Sequence, residues 1–189
     1  MPKTIEVEIR GNLDTLTYDR LKAFFDAHAE HVESHEREMF LLRNYPGYSK
    51  DFVGRETDIR LRNTNGECEI MLKTKVGNAR EEVALKLQDT DLEAAKKIVK
   101  ALGSTTAVWM HRLKEVYRYE GVEWSLVIAP NDIRYYEAEL VVEDASLIDS
   151  AHATLEAAAL KLDLAVLNDE ETRALIHRLD TEANKVVEL

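Results

Sequence analysis

The chain has 189 residues, of which 45% are hydrophobic and 32% are charged, a balance typical of a folded globular domain. Its formal charge of −11 disfavours binding to nucleic acid or to an anionic membrane, because the field of the protein repels polyanions. The single cysteine, Cys68, excludes an internal disulfide. No apolar run reaches the roughly 18–20 residues of a membrane span, and no signal-peptide segment is recognisable. We therefore expect a cytoplasmic protein with one domain over residues 1–189.

The chain begins with a strand, a helix and a second strand. Ile5–Arg10 has the period of two that predicts a strand. Leu13 to about His35 has the apolar spacing of an amphipathic helix, and Arg37–Asn44 is predicted as the next strand. An irregular loop is expected over Tyr45–Arg55.

A hairpin and a further strand come next. Thr57–Arg62 and Glu69–Lys73 are predicted to pair, since Asn65 and Gly66 between them readily adopt the positive φ angles of a tight hairpin turn. Arg80–Leu87 is predicted as the following strand.

The second half contains helices at both ends of a three-strand segment. Thr90 and Glu93 form a capping box for a helix that ends near Leu102. In the tail, from about residue 146 to 189, Ser146 and Asn168 are predicted N-caps of two helices packed on the sheet. The strands between are predicted at Thr105–Tyr119, Val122–Ile128 and Ile133–Val142. Eight strands with inserted and appended helices predict an α+β fold, and eight strands are enough to close into an antiparallel barrel.

Charged side chains occupy alternate positions on most of these strands. Glu6, Glu8 and Arg10, for example, lie on the face opposite Val7 and Ile9. Over all strands, this face carries five acids and seven bases: Glu6, Glu8, Glu82, Glu137 and Glu139, with Arg10, Arg60, Arg62, Lys73, Arg80, Arg112 and Lys114.

A solvent-exposed sheet face is the commoner explanation for such a pattern on any single strand. The pairs Glu6/Glu8 and Glu137/Glu139 argue against it, because like charges on one face repel and an open sheet does not need them. If the face lines a closed barrel, the acids would bind a hard divalent cation through oxygen and the bases would hold a ligand with several negative charges. The apolar residues Val7, Leu61, Leu113 and Ala138 would then point outward under helices.

These motifs together resemble the CYTH or triphosphate tunnel metalloenzyme family, in the family's order, over about residues 4–180. The resemblance rests on six of the family's motifs, which are E-x-E-x-K, R-x-R, L-K, R-E-E, K-x-R-x-x-Y and E-x-E. The similar segments of this chain are, in the same order, Glu6-Val7-Glu8-Ile9-Arg10, Arg60-Leu61-Arg62, Leu72-Lys73, Arg80-Glu81-Glu82, Arg112-Leu113-Lys114-Glu115-Val116-Tyr117 and Glu137-Ala138-Glu139. The resemblance implies an eight-stranded antiparallel tunnel, dependence on Mg²⁺ or Mn²⁺, and action on a triphosphate group.

Residue roles follow from this reading. We expect the metal ligands to be Glu6, Glu8, Glu82, Glu137 and Glu139, and the substrate-binding residues to be Arg10, Arg60, Arg62, Lys73, Arg80, Arg112 and Lys114. Glu6, Glu8, Arg10 and Lys114 are the expected catalytic residues.

The chain departs from the family pattern at three places. Arg10 stands where the family usually has lysine, which keeps the charge and changes its geometry. The family's S-L-D strand is here Ser125-Leu126-Val127, so its acid is lost or has moved, and Asp132 is the nearest substitute. The aromatic-Asp-Thr-Pro segment of the cyclase-like members is not recognisable near Pro46.

The sequence leaves three functions open. The leading one is a metal-dependent triphosphatase that acts on inorganic tripolyphosphate or an organic triphosphate. The alternatives are a class IV-type adenylate cyclase and a module that binds polyphosphate or nucleotide without turnover. The expected partner is a small-molecule triphosphate, and the protein is expected to be a monomer or homodimer. A zinc site at His28, His31 and His35, spaced along the predicted first helix, is less favoured than an ordinary solvated helix face.

Overall fold

The computed structural model describes residues 5–45, 48–88 and 92–189, which form nine strands and four α-helices. The strands are β1 (Ile5–Leu13), β2 (Glu30–Leu42), β3 (Thr57–Thr64), β4 (Glu67–Val76), β5 (Ala79–Lys86), β6 (Thr106–Tyr119), β7 (Val122–Ala129), β8 (Ile133–Val142) and β9 (Lys185–Glu188). The α-helices are α1 (Thr15–His28), α2 (Leu92–Ala101), α3 (Ile148–Lys161) and α4 (Asp169–Glu182).

Eight of the strands close into a ring. The order is β2-β3-β4-β5-β1-β8-β7-β6, and β6 pairs again with β2 to complete it. This closing ladder is antiparallel and runs from Glu30 opposite Arg118 to Leu42 opposite Ala107, with a bulge between His31 and Glu33. The ninth strand, β9, adds to the first residues of β6. The predicted α+β fold with an antiparallel ring of eight strands is confirmed.

The ring is uneven, because one junction is much narrower than the others. β1 pairs with β8 along its whole length, from Ile5 to Leu13. Its pairing with β5 involves only Ile5 opposite Glu81 and Glu6 opposite Arg80. Residues of β5 beyond this junction pair only with β4.

Three helices cover the outside of the ring. α1 and α3 pack on the outward side chains of β1, β7 and β8, which include Val7, Trp124 and Ala138. α2 packs on the outer face of β2, β3 and β4 through Leu61 and Cys68. Leu113 also points outward, yet it is 46% exposed, so the expectation that a helix covers it was wrong.

α4 is placed differently from the other helices. Leu175 and Leu179 contact Val127 and Tyr135, which belong to the inward faces of β7 and β8. α4 therefore closes one end of the ring. No helix among the described residues is long and apolar enough to cross a membrane.

Local sequence signals predicted most element boundaries. Asn65 and Gly66 have φ angles of 51° and 94°, as the predicted hairpin turn requires. Asn168 caps α4 through a complete capping box with Glu171. The capping box expected at Thr90 lies outside the described residues.

Two boundaries were predicted wrongly. The first helix ends at His28, and β2 begins at Glu30. Pairing with β6 therefore overrides the helical spacing that the sequence shows as far as His35. At the start of the tail, Asp144 rather than Ser146 accepts the capping hydrogen bond, and α3 begins only at Ile148.

Gly11 allows the segment between α3 and α4 to cross β1. The backbone N–H of Leu167 donates to the carbonyl of Arg10 at 2.8 Å. A Cβ atom on Gly11 would lie 2.1 Å from the Tyr136 ring and 2.3 Å from the carbonyl oxygen of Ala165, far inside van der Waals contact.

We predict that Gly11→Ala lowers the stability of the protein by about 1–3 kcal/mol, because the added methyl group forces this crossing apart. The matched control is Asn12→Ala, since Asn12 is an exposed neighbour on the same strand. Thermal unfolding followed by circular dichroism would show the melting temperature falling by roughly 2–4 °C for each kcal/mol of stability lost. Equal melting temperatures for the two variants would contradict the close approach.

Candidate active site inside the ring

All twelve charged residues singled out from the sequence line one cavity inside the ring. The cavity has a volume of about 1020 Å³. Its walls include Glu6, Glu8, Arg10, Arg60, Arg62, Lys73, Arg80, Glu82, Arg112, Lys114, Glu137 and Glu139. The charged face of the strands is therefore the inner face, as the closed-barrel reading predicts.

Several inner residues were missed by the sequence analysis. Arg37 lines the cavity from β2, together with Glu33 and His35 on the same face. Glu33 and His35 were missed because the first helix was extended to His35, whereas Arg37 lies in the predicted strand Arg37–Asn44 and its charge was not assigned to the inner face. Glu123 lines the cavity from β7, and Asp132, the expected substitute for the missing acid, instead forms an exposed ion pair with Arg134 at 2.7 Å.

One part of the wall is crowded with carboxylates from three adjacent strands. Glu139 on β8 lies directly opposite Glu8 on β1 and directly opposite Glu123 on β7. Burial, reinforced by Glu6 and Glu8, raises the pKa of Glu139 to about 8. Burial also raises the pKa of Glu6 to about 7, although Lys73 opposes this. These carboxylates repel one another, so protons or cations would stabilise them.

Among the described residues, four of the five predicted acids are paired with bases, and Arg10 Nε lies 2.5 Å from a carboxylate oxygen of Glu8. Lys73 Nζ contacts Glu6 at 2.5 Å and Glu82 at 2.8 Å. Lys114 forms an ion pair with Glu137, and Arg10 Nε lies 3.4 Å from the same carboxylate. Burial opposes ionisation of Glu137, yet Lys114 and Arg10 hold its pKa well below the usual range.

A fully buried acid, Asp58, organises the arginines on β3 and β5. Its carboxylate accepts from Arg55 at 2.7 Å and from Arg60 at 2.6 Å, and Arg80 lies 3.9 Å away. Burial would raise the pKa of Asp58, but Arg60 and Arg55 outweigh it and lower that pKa well below its normal value. Asp58 therefore stays ionised and fixes these guanidinium groups at the cavity wall.

Some donors in this cluster have no acceptor among the described residues. Arg60 Nε and Arg80 Nη1 are buried without a hydrogen-bond partner. Buried donors of this kind are costly unless a ligand or water accepts from them. Phe52 lies beside the cluster, with its ring 4.9 Å from the guanidinium of Arg10 and 5.2 Å from that of Arg80.

Arg112 is held by neutral groups instead of acids. Its guanidinium donates to the Tyr135 hydroxyl at 3.2 Å, the His111 carbonyl at 2.7 Å and the Asn184 side chain at 2.8 Å. Its neighbour across the closing ladder is another arginine, Arg37. These two positive charges are therefore not cancelled by a carboxylate hydrogen bond, and they favour an anion in this part of the cavity.

Within the described ranges, no group of three or more His, Cys, Asp or Glu side chains already stands in metal-holding positions. The donors nevertheless suit a hard divalent cation, since Glu8, Glu123 and Glu139 offer only carboxylate oxygens and crowd together from neighbouring strands. The histidine cluster considered on the first helix does not form there, because His31 and His35 lie on β2.

The fold is shared with several solved structures. The PH1819 protein from Pyrococcus horikoshii OT3 matches with a TM-score of 0.73, 19% identity, and coverage of 92% of this chain and 99% of its own. A candidate adenylate cyclase from Vibrio parahaemolyticus matches with a TM-score of 0.66, 14% identity, and coverage of 87% and 93%. A candidate adenylyl cyclase from Hippeastrum, described as having a dominant triphosphatase activity, matches with a TM-score of 0.56, 16% identity, and coverage of 86% and 89%.

The chain shares the eight-stranded antiparallel tunnel of these structures. The fold expected from the motif resemblance is thus confirmed by the ring itself and by these neighbours. No protein-family model matches the chain, and no curated protein matches it. At 14–19% identity, the likeness establishes the fold and leaves the reaction to be inferred from the site.

The two acids of Glu137-Ala138-Glu139 should affect stability in opposite directions. Glu137→Gln breaks the ion pairs with Lys114 and Arg10, and it should lower stability by about 3 kcal/mol at pH 8. Glu139→Gln should raise the melting temperature at pH 8 and have little effect at pH 5. The reason is that wild-type Glu139 keeps its proton in the folded state up to about pH 8, so the wild type loses stability as the pH rises from about 4.5 through 8.

The measurement is thermal unfolding of both variants in EDTA at pH 5 and pH 8, with wild type as reference. A stabilised Glu137→Gln protein, or a destabilised Glu139→Gln protein at pH 8, would contradict this division of the acids.

Proposed function

We propose that the protein is a divalent-metal-dependent hydrolase of a triphosphate group, carried by inorganic tripolyphosphate or by an organic triphosphate. The observation that carries the proposal is the enclosed cavity, in which seven bases face five acids across one space of about 1020 Å³. The solved structures of the same fold include a protein described as having triphosphatase activity and candidate adenylate cyclases, which supports an enzyme of this kind.

The bases would grip the phosphate chain. Arginine suits this role because its planar fork donates two parallel hydrogen bonds to phosphate oxygens. Arg60 and Arg80 have buried donors without a partner and are held in place by Asp58, so they would bind without first losing an internal hydrogen bond. Arg62, Lys73, Arg112 and Lys114 line the same cavity and would neutralise the remaining oxygens.

The acids would hold the metal. Glu6, Glu8 and Glu139, joined by the unpredicted Glu123, form the crowded group that suits Mg²⁺ or Mn²⁺. Glu82 shares Lys73 with Glu6 and lies at the edge of this group. Glu137 is the least suited of the five predicted ligands, because Lys114 forms an ion pair with its carboxylate and Arg10 lies 3.4 Å away, whereas Glu8 is paired with Arg10 alone. When bound, the metal supplies a Lewis acid for phosphate oxygens and a lowered pKa for an attacking water.

The residues of the chain would then direct an in-line attack of water on the terminal phosphorus. Glu6 and Glu8, at the acidic wall, would orient the water by accepting its hydrogen bonds. Arg10 and Lys114, which meet at Glu137, would stabilise the negative charge that moves onto the leaving diphosphate. The ring partly shields these contacts from water, since the side chains of Glu8, Arg10 and Lys114 are only 12–23% exposed, and so strengthens them.

The proposal is tested by incubating the purified protein with tripolyphosphate or ATP and with Mg²⁺, Mn²⁺ or EDTA. We expect orthophosphate to be released with either metal and not with EDTA. Cyclic AMP with pyrophosphate would instead identify an adenylate cyclase. Tight binding without any product would identify a sequestering module.

Arg60→Ala should weaken binding of tripolyphosphate about ten- to a hundred-fold, equal to roughly 1.5–3 kcal/mol for one lost charge-assisted contact. Binding of orthophosphate should change much less, because one phosphate meets fewer of the bases. The matched control is Arg118→Ala, an arginine on β6 that is 52% exposed and forms a surface ion pair.

The affinities are measured by isothermal titration without metal, so that turnover does not interfere. Affinities of Arg60→Ala and Arg118→Ala that agree within about two-fold would place the phosphate site elsewhere, since screened surface charges have effects of that size.

Glu8→Gln should reduce metal-dependent hydrolysis by at least about a hundred-fold and leave metal-free binding of tripolyphosphate within a few-fold of wild type. The amide keeps the shape of the side chain but is a poor ligand for the metal. Initial rates over a Mg²⁺ titration provide the measurement, and Glu81→Gln, whose side chain lies on the opposite face of its strand, is the control. Wild-type rates for Glu8→Gln would exclude the proposed metal role.

A further inference from the structure

The inner surface of the ring changes character along β2 and β6. On β2 the inward positions run from His35 and Arg37 to Met39 and Leu41, and on β6 the positions opposite Met39 and Leu41 are Met110 and Val108. The charged lining therefore stops at the same level on both strands. Beyond it these two strands present apolar side chains, which a tunnel for phosphate alone does not require.

This apolar end forms a second cavity of about 310 Å³. Leu175, Ile176 and Leu179 of α4 form one side, opposite the apolar residues of β2 and β6. Tyr48 and Phe52 contribute aromatic rings from the loop before β3. Cavities of roughly 300–1,000 Å³ with mainly apolar walls and a few polar groups are typical of small-molecule sites.

The second cavity adjoins the proposed phosphate site. Arg10, Arg60 and Arg112 line both cavities, and so do Tyr135 and Glu137. A ligand whose phosphates lie on these arginines would therefore have any attached group directed toward the apolar end. Inorganic tripolyphosphate has no such group and would leave these apolar walls without a partner.

The charges around the apolar end restrict what that group can be. The remaining bases of the second cavity are Arg43, Lys50, Arg55 and Lys185, against a single further acid, Asp180. A cationic ring such as a thiazolium would be repelled by this rim. An uncharged flat ring would be accepted, because Met39 and Met110 offer polarizable surfaces to its face.

We infer that the substrate is an organic triphosphate with an uncharged aromatic group, the chemistry of a nucleoside triphosphate, and that this group lies between α4 and the Met39–Met110 pair. The inference rests on the proposed phosphate site, and of the two proposed substrate classes it selects an organic triphosphate over inorganic tripolyphosphate.

The test fills the apolar end with a bulky side chain and leaves the bases unchanged. Ile176 lines the second cavity and is only partly buried, so Ile176→Trp places a large side chain there with little risk to folding. The matched control is Ile98→Trp, at a position on α2 that is 59% exposed and absent from both cavity walls. ATP, thiamine triphosphate and tripolyphosphate are titrated against wild type and both variants by calorimetry without metal.

For Ile176→Trp we expect ATP to bind at least about ten-fold more weakly than to wild type, and tripolyphosphate to bind within about two-fold. Ile98→Trp should bind both as wild type does, and wild type should prefer ATP to thiamine triphosphate. Met110→Ala, which removes an apolar contact instead of adding bulk, should also weaken the binding of ATP more than the binding of tripolyphosphate.

Other results would overturn the inference. If Ile176→Trp and Met110→Ala change ATP and tripolyphosphate binding by the same factor, the organic group does not lie at the apolar end. If wild type binds tripolyphosphate but not ATP, or prefers thiamine triphosphate, this substrate class is wrong while the proposed hydrolase stands. If wild type binds none of the three ligands, both the inference and the proposed function fail.

Discussion

The pairing of β2 with β6 is the constraint on which the rest of the molecule depends. It joins the two ends of an eight-strand sheet, from Glu30 opposite Arg118 to Leu42 opposite Ala107. Once the sheet is closed, the period of two along each strand places every second side chain inside. Charges that would be screened on an open sheet are then enclosed together, partly shielded from water, where their mutual attraction and repulsion are strong.

The interior is stable without a ligand because most of its charges are already matched. Lys73 holds Glu6 and Glu82, Lys114 holds Glu137, and Asp58 holds Arg60. Two imbalances remain: the carboxylates of Glu8, Glu123 and Glu139 crowd together although Arg10 pairs with Glu8, while Arg37 and Arg112 face each other across the closing ladder. A metal–triphosphate complex carries both kinds of charge, so it complements both groups at once. This separation also explains how a chain with a net charge of −11 can offer a site for a polyanion.

The sequence predicted what depends on local pattern. Alternation on individual strands identified the twelve inner charges, and turn and cap residues such as Gly66 and Asn168 identified where elements turn or begin. It failed where partners distant in the chain decide. Glu33 and His35 were missed because residues up to His35 have helical spacing, and only the ladder with β6 makes them a strand. The apolar end was missed because it requires α4 to lie across the mouth of the ring, and β9 was missed because four residues carry too little pattern.

The charges inside the ring are proposed to hold a triphosphate. The most direct measurement is a crystal structure of the protein with tripolyphosphate bound in the absence of metal. We predict density for the phosphate chain within the 1020 Å³ cavity, with oxygens in hydrogen-bond contact with Arg60, Arg80 and Arg112. Phosphate density confined to the outer surface, with the cavity and its ion pairs unchanged, would contradict the account.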